Sequence, residues 1–191
     1  MQFKQLVDKS RSHREFDASA VIPREKLEAW ILNASHCPSA MNMQALKYRI
    51  VDGESEVARL LPLTRWGAAL PDKRLPPEGH GPSAFIVMCH DTSVTPLKPI
   101  FMIDVGICAQ TVMLSAAEDG FGGCMVASVS ADAARELLSL DESLEIVLVL
   151  GLGVPEDTVK LVEFSGSTKY YRDDQNVHFV PKRSLEEIIL K

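Results

Sequence analysis

The sequence lacks the clustered cysteines and histidines that mark most metal sites and disulfide frameworks. No two cysteines form a CxxC pair, and the histidines show no HExxH or comparable ligand spacing. Metal ligands must converge on one point, which such spacings achieve. We therefore expect no metal site, and we expect the cysteines to be buried thiols because each lies in an apolar or helical context. The cysteines are Cys37, Cys89, Cys108 and Cys124.

Positive charge and long hydrophobic runs are also scarce. The formal net charge is -6 at pH 7, which argues against a general nucleic-acid binder because that function needs a basic surface. The strongest apolar strand candidate, residues 146–150, is too short to cross a bilayer. The first ten residues carry no apolar run typical of a secretory signal. We therefore expect a cytoplasmic protein with no nucleic-acid or membrane partner.

What the sequence does have is the composition of an ordinary globular protein. Its 191 residues are 46% hydrophobic and 24% charged, which provides enough material for a sizeable core. No repeat, low-complexity tract or linker divides the chain. We expect a single domain over residues 1–191.

Hydrophobic periodicity predicts an α+β fold, with one sheet and helices packed on it. A helix should begin at Pro23 and end before Pro38. The last helix should begin at Ser184, because Ser184 and Glu187 have the spacing of a capping box. Further helices are predicted at residues 3–9, 54–61, 100–119 and 132–139, and strands at 46–50, 84–89, 125–129, 144–150 and 177–179. The strand at 84–89 is continuously apolar, so it should be central in the sheet.

Two segments stand out within this pattern. Residues 62–82 form a long excursion rich in proline and glycine, where Arg65 and Trp66 could line a substrate site or Trp66 could simply pack the loop. Residues 100–119 form a helix that is apolar except for one narrow polar stripe. Such a helix must be buried by more than one neighbour, which favours a second subunit as one of them. The stripe consists of Asp104, Thr111, Ser115 and Glu118.

Three short polar segments could carry chemistry. Residues 10–14 place two arginines and two hydroxyl groups within one turn, which can hold a phosphate through guanidinium forks. The loop PSAMNMQ at 38–44 and the basic pair Lys182-Arg183 are the other two. Each taken alone has an ordinary interpretation as a solvated loop or turn. A dinucleotide fingerprint is absent, because Val154-Pro155 follows Gly151-Leu152-Gly153 where the third glycine and the helix start should come.

The order and spacing of these segments resemble the FMN-dependent nitroreductase family over essentially the whole chain. The R-S-x-R segment at 11–14 comes first, then the P-S-x-x-N-x-Q loop, then the basic pair before a short final helix. The intervening sequence agrees. It contains the apolar helix running into GFGG at 120–123, then GLGVP at 151–155, KYYRD at 169–173 and HFVPKR at 178–183.

The resemblance implies a nitroreductase-like α+β fold, with a central mixed or antiparallel sheet flanked by helices, in an intertwined homodimer. It implies that FMN is contacted by one chain's N-terminal loop, with Arg14 near the pyrimidine edge or the ribityl chain, and that the basic pair closes on the phosphate. Loop 38–44 would reach the flavin bound mainly by the other subunit, with Gln44 supporting the loop. The implied FMN-binding residues are Arg11, Ser12, Arg14, Pro38, Ser39, Asn42, Lys182 and Arg183. Many members carry a basic residue where this chain has Ser10, so the phosphate may be held more by Lys182 and Arg183.

The implied activity is that of an FMN-dependent NAD(P)H oxidoreductase. A nicotinamide would pass hydride to the flavin and leave, and an electron-poor acceptor such as a nitroaromatic or a quinone would replace it in a ping-pong cycle. No catalytic side chain and no metal is implied, because the flavin carries the chemistry. The alternatives are an FMN-binding or sensing protein with little turnover, a specialised relative such as a dehalogenase, and an interaction domain without a cofactor.

Overall fold

A four-stranded antiparallel sheet forms the centre of the computed structural model, which describes residues 2–70 and 73–190. Its strands are β1 (Leu46–Val51), β2 (Ala84–Asp91), β3 (Gly122–Val126) and β4 (Leu144–Gly153), in the order β1-β2-β4-β3. β2 lies between β1 and β4, and its residues 84–90 are all buried. This confirms the predicted α+β class, the antiparallel central sheet and the central position of the 84–89 strand.

Helices cover both faces of this sheet. One hydrophobic cluster joins the sheet to α2 (Arg24–Ser35) and α4 (Phe101–Glu118), and the other joins it to α3 (Glu54–Leu60) and α5 (Ala131–Leu138). Among the described residues, the other α-helices are α1 (Phe3–Lys9) and α6 (Leu185–Ile188), and short 3-10 helices lie at Ala40–Asn42 and Leu61–Leu63. α6 begins after Ser184, and the capping box with Glu187 is present as predicted.

A second, smaller sheet was not foreseen from the sequence. It contains β5 (Val159–Glu163), β6 (Tyr171–Arg172) and β7 (His178–Lys182), in the order β5-β7-β6, with β5 parallel to β7. β5 and β6 are short and partly exposed, so neither carries the continuous apolar run that identified β2 and β4. This sheet brings the C-terminal basic residues back to the N-terminal loop.

β3 begins three residues earlier than the predicted 125–129 strand, because its glycines pair with β4 instead of forming a turn. Gly123 pairs with Leu152, and a Cβ at Gly123 would lie 2.4 Å from the carbonyl oxygen of Gly151. At Gly151 a Cβ would lie 2.3 Å from the Trp66 ring. These positions need glycine because the strands and the indole approach so closely.

The polar stripe of α4 is buried at its start and exposed at its end: Asp104 is buried, Thr111 and Ser115 are half-buried, and Glu118 is exposed. Asp104 is only 6% exposed, and Ser115 accepts a hydrogen bond from Asn33 of α2 at 3.0 Å. The large side chains exposed in its first turn are apolar: Ile103 is 56% exposed and Met102 44%. α4 is long and apolar enough to span a membrane by composition, with a mean hydropathy of 1.3, but half of it is buried in this fold. Core helices of soluble proteins share that composition.

Candidate functional site

A cleft of about 300 Å³ lies between the N-terminal loop, α4 and the second sheet. Cations and hydroxyl groups line one part, and methionines and valines line another. Its lining residues are Ser10, Arg11, Ser12, Arg14, Gln110, Met113, Met125, Val159, Tyr170, His178, Val180 and Lys182. The chain therefore joins its first and last segments at one surface, and it places three cations there in a protein of negative net charge.

The N-terminal loop is held against the central sheet by backbone hydrogen bonds. Ser12 forms an isolated parallel bridge with Gly123, and the His13 amide donates to the Gly123 carbonyl at 2.8 Å. Farther along, the Asp17 amide donates to the Val154 carbonyl at 2.9 Å. These contacts fix the backbone from which the Arg14 side chain enters the cleft.

Arg14 is a buried cation, with 8% of its surface exposed. Its Nη1 donates to the Ser12 carbonyl at 3.2 Å and lies 3.3 Å from Nε2 of His178. The guanidinium carbon lies 5.0 Å from the centroid of the Tyr170 ring, a cation–π contact. Its buried Nε has no hydrogen-bond partner among the residues that the structure describes. Within residues 2–70 and 73–190, no carboxylate forms an ion pair with this guanidinium.

The nearest buried carboxylate, Asp157, is occupied by other groups. It accepts hydrogen bonds from His13 Nδ1 at 2.7 Å and from the Arg14 backbone amide at 3.0 Å, and it pairs with Arg172 at 3.3 Å. Burial alone would raise the pKa of Asp157. The hydrogen bonds and the nearby charges outweigh burial and hold that pKa below its ordinary value. Arg172 also pairs with Glu15. Arg172 is therefore compensated, whereas no described carboxylate pairs with Arg14.

His178 forms the floor of the cleft beside Arg14 and is 1% exposed. Burial, followed by the charges of Arg14 and Arg172, lowers its pKa to about 4. The imidazole is therefore neutral at neutral pH. Its ring packs against Tyr170 with centroids 5.1 Å apart.

Four of the predicted flavin residues belong to this region of the molecule. Arg11, Ser12, Arg14 and Lys182 all line the cleft. Arg11 is also engaged locally: its Nη2 donates to the Val7 carbonyl at 2.6 Å, where it caps the end of α1. Alternate residues of β7 face the cleft, namely His178, Val180 and Lys182.

Arg183, the second member of the basic pair, points elsewhere in this chain. Its guanidinium carbon lies 4.4 Å from the centroid of the Phe164 ring, and it pairs with Glu187 at 3.2 Å. Because it follows Lys182 directly, the alternation of an extended backbone turns it away from the cleft. The family resemblance implied that both cations would lie at the phosphate, whereas of this pair a single chain brings Lys182 to the cleft and turns Arg183 away.

Pro38, Ser39 and Asn42 lie outside the cleft of their own chain. Their loop is held by Asp104, whose carboxylate accepts the Ala40 amide at 3.0 Å and 3.1 Å. Asn42 has a φ of 52°, a left-handed conformation that asparagine tolerates better than most residues. The buried hydroxyl of Ser39 has no hydrogen-bond partner in the described part of the chain.

Sequence reasoning missed Tyr170 and His178 as site residues. Both lie within the runs that carried the family resemblance, yet neither had an assigned role. The period of two along β7 would have grouped His178 with Lys182 once that strand was extended to its full length.

Trp66 is a core residue: it is 8% exposed, and its Nε1 donates to Thr64 at 2.7 Å. The packing interpretation of Trp66 is therefore confirmed.

The fold and the cleft together define an α+β protein with a cationic ligand site at the junction of its two sheets. The chain matches the Nitroreductase family over residues 7–82 and 90–154, and it belongs to that family. The resemblance inferred from the sequence is confirmed, and the family assignment makes the protein an oxidoreductase.

Solved structures share this fold at low sequence identity. A nitroreductase family protein from Clostridium novyi NT is 23% identical with a TM-score of 0.68, covering 98% of each chain. A candidate nitroreductase from Exiguobacterium sibiricum, in complex with FMN, is 20% identical with a TM-score of 0.67, covering 82% of this chain and 90% of the other. A candidate NAD(P)H:FMN oxidoreductase from Staphylococcus epidermidis is 18% identical with a TM-score of 0.66, covering 84% and 92%.

Because His178 is neutral in the folded protein, we expect the free energy of unfolding to depend on pH. In the unfolded chain the His178 imidazole takes up a proton as the pH falls below its ordinary pKa of 6.5. In the folded chain it takes up this proton only near pH 4. The free energy of unfolding should therefore fall by roughly 3 kcal/mol as the pH drops across this window. Asp157 acts separately, because its stabilising contribution is lost only below its unfolded value of 3.8.

Urea unfolding measured from about pH 7 to about pH 4.5 checks this expectation. His178→Gln should flatten the slope, since the titrating group is gone. The same substitution at the exposed His36 is the matched control. Equal slopes in the wild type and in His178→Gln would contradict the assignment.

Proposed function

We propose that the protein is a cytoplasmic, homodimeric FMN-dependent NAD(P)H oxidoreductase that reduces electron-poor acceptors such as nitroaromatics or quinones. The observation that carries this proposal is Arg14, a buried guanidinium with no carboxylate partner among the described residues. Burying an uncompensated cation is costly, so such an arrangement implies a ligand that supplies hydrogen-bond acceptors or negative charge. The same cleft contains Arg11 and Lys182.

The residues present fit FMN. Arg14 has a buried Nε without a hydrogen-bond partner among the described residues, and it would meet the oxygen and nitrogen acceptors of the pyrimidine edge or the ribityl chain. Arg11, Ser12 and Lys182 offer donors suited to one phosphate. Met113, Met125 and Val180 provide apolar surface for a ring system. One cluster of cations matches one phosphate, which favours FMN over FAD.

FMN bound there would supply hydride transfer from a nicotinamide to the acceptor. The protein's own contribution is to bind and orient the flavin and to place positive charge near it. The Arg14 guanidinium is stacked on Tyr170 and shielded from water, and electrostatic stabilisation is stronger in such a partly dry site. Relatives bearing the names nitroreductase and NAD(P)H:FMN oxidoreductase support this chemistry.

Dimerisation would complete the site. α4 exposes Ile103 and Met102, and Gly106 between them and the cleft has open space beside its backbone. An apolar helix face of this kind suits a two-fold contact with a second copy. Pro38, Ser39 and Asn42 lie apart from the cleft of their own chain, and Ser39 has an unused buried hydroxyl. In the proposed dimer these residues reach the flavin of the partner subunit.

The purified protein should carry non-covalent FMN, and Arg14→Ala should weaken its retention. A hydrogen bond to a charged group contributes about 1.5–3 kcal/mol, so the dissociation constant should rise roughly 10- to 100-fold. Arg24→Ala is the matched control, because Arg24 is exposed and pairs with Glu28 and Asp52 away from the cleft. Mass spectrometry of the extracted cofactor and flavin titration of the apoprotein are the measurements. Bound FAD, or equal affinity in the two variants, would refute the assignment.

An FMN-binding or sensing protein is the alternative function, and the anaerobic addition of NADH or NADPH separates the two. A reductase should lose its oxidised flavin absorbance rapidly, and a nitroaromatic or quinone should then restore it. A sensor would bind FMN without rapid bleaching. Slow bleaching by both nicotinamides, with FMN present at full occupancy, would favour the sensor.

Complementation between two inactive variants tests the shared site. If each site uses Arg14 from one chain and Asn42 from the other, Arg14→Ala and Asn42→Ala should each give poor homodimers. After the two are unfolded, mixed and refolded, about half of the dimers should be mixed, each with one intact site. Roughly a quarter of all sites should then recover.

Flavin occupancy and acceptor reduction should recover together in the mixed sample. Refolded samples of each variant alone are the controls, and mass spectrometry under native conditions verifies that mixed dimers form. No recovery with mixed dimers present would show that both residues serve the site of their own chain.

A further inference from the structure

We propose that Tyr170 is a positioning residue of the flavin site: the face of its ring holds the Arg14 guanidinium at the cleft, and its hydroxyl ties residues 66–70 alongside the stem of that arginine. This inference rests on the proposed function and deepens it. No sequence motif assigned a role to Tyr170, although the residue lines the cleft.

Among the described residues, the Arg14 guanidinium has few attractive contacts besides the Tyr170 ring. Its Nη1 donates to the Ser12 carbonyl at 3.2 Å. His178 Nε2 lies 3.3 Å from this Nη1, but His178 Nδ1 accepts a hydrogen bond from Nε of Arg172 at 3.4 Å. A neutral imidazole that accepts at Nδ1 carries its proton on Nε2, so it offers Arg14 no lone pair. The ring face of Tyr170 is therefore the main contact that restrains the charged end of Arg14.

The Tyr170 ring attracts this cation without neutralising it. The guanidinium carbon lies 5.0 Å from the ring centroid, inside the range of about 6 Å for a cation–π contact. Such contacts are stronger where the cation is withdrawn from water, and Arg14 is only 8% exposed. The other contact of the ring is His178, with centroids 5.1 Å apart. An aromatic face has no formal charge, so the orientation of the guanidinium is fixed and its charge remains available to a ligand.

The hydroxyl of Tyr170 connects the ring to the excursion at 62–82. It accepts a hydrogen bond from the Ala69 amide at 3.1 Å. Gly67 lies beside the stem of Arg14, because a Cβ at Gly67 would be 3.8 Å from Arg14 Cδ. Gly67 has a φ of 66°, a left-handed conformation that favours glycine. Residues 67–69 therefore lie along the stem of Arg14, Tyr170 stacks on its guanidinium, and the hydroxyl joins these two contacts.

The stacking can be measured in the wild type without relying on activity. An aromatic ring shifts the NMR resonances of protons above its face to lower frequency. The side-chain protons of Arg14 should be shifted in this way in the protein as purified and again after flavin removal, and the shift should vanish in Tyr170→Leu. Ordinary chemical shifts for Arg14 in the flavin-free wild type would overturn the proposal even if FMN binds as expected.

Ring fluorination at position 170 separates the cation–π contact from packing. Fluorine withdraws electron density from the face of an aromatic ring and changes the size of the ring little. Tyr170→Phe is compared with replacements by phenylalanines that carry one, two or three ring fluorines. If the ring face holds the cation, the dissociation constant for FMN should rise stepwise, by about tenfold across the series. If the ring only packs, the affinity should not depend on fluorination, and the proposal fails.

The same series at Tyr171 is the matched control. Tyr171 is the next residue in the chain, is 49% exposed, and stacks on Phe179 with centroids 5.1 Å apart. It lies outside the set of residues that line the cleft. Fluorination there should leave FMN affinity as in the wild type. Circular dichroism verifies folding of every variant, and if a fluorinated variant does not fold, the NMR result for the wild type still decides.

The hydroxyl is tested by Tyr170→Phe on its own. Without its acceptor the Ala69 amide should exchange with solvent about three- to tenfold faster, which hydrogen exchange followed by NMR measures. FMN affinity should change by less than about threefold, since the ring face is kept. Unchanged exchange at Ala69 would show that the hydroxyl does not hold residues 66–70, and it would overturn that part of the assignment.

A change of background tests whether Tyr170 acts through Arg14. Arg14→Met removes the charge and keeps an unbranched stem. In this background the fluorinated series should no longer alter FMN affinity, within a factor of about two. A persistent dependence would show that the ring acts independently of Arg14 and would overturn the positioning assignment. A wild type that binds no FMN would defeat the proposed function as well, whereas FMN binding that is sensitive to Arg14 and insensitive to fluorination would defeat only this inference.

Discussion

The buried carboxylate of Asp157 is the contact on which the arrangement of the cleft depends. It holds the N-terminal loop through His13 and the Arg14 amide, and it holds β6 through Arg172. Removing one partner of a buried, hydrogen-bonded charge pair typically costs about 3–5 kcal/mol, so this carboxylate strongly favours one geometry. Those three donors engage both of its oxygens, with His13 at Oδ1 and with the Arg14 amide and Arg172 at Oδ2. The Arg14 side chain is thereby placed in the cleft while its charge is left for a ligand.

α4 connects the two separated parts of the proposed site. Its first turns present Asp104 to the loop that contains Ser39 and Asn42, and its later turns present Gln110 and Met113 to the cleft. A helix is a rigid element, so the loop and the cleft keep a fixed relation within each chain. Asp104 and Ser115 of the polar stripe have a structural role here, because Asp104 holds the loop and Ser115 holds α2.

The central sheet was predictable because its signals are local. β2 and β4 are continuous apolar runs, and the ends of α1 and α6 follow from a short amphipathic segment and a capping box. The second sheet was not predictable in this way, since β5 and β6 are short and β7 owes its place to contacts with distant segments. The glycines of β3 resemble a turn until the close approach of β4 is known. The close approach of β4 involves residues far apart in the sequence, so a local pattern does not predict it.

The residues of the site also differ in whether a local sequence pattern predicts them. Arg11, Ser12, Arg14 and Lys182 could be named from motifs, and the structure brings them to one cleft. The direction of Arg183 depends on strand alternation at the end of β7, which the sequence alone left undefined. Asp157, Tyr170 and His178 could not be named, because their importance arises from where the charges meet. A motif identifies which cation is present, but only the count of nearby carboxylates shows that Arg14 is uncompensated and therefore available to bind a ligand.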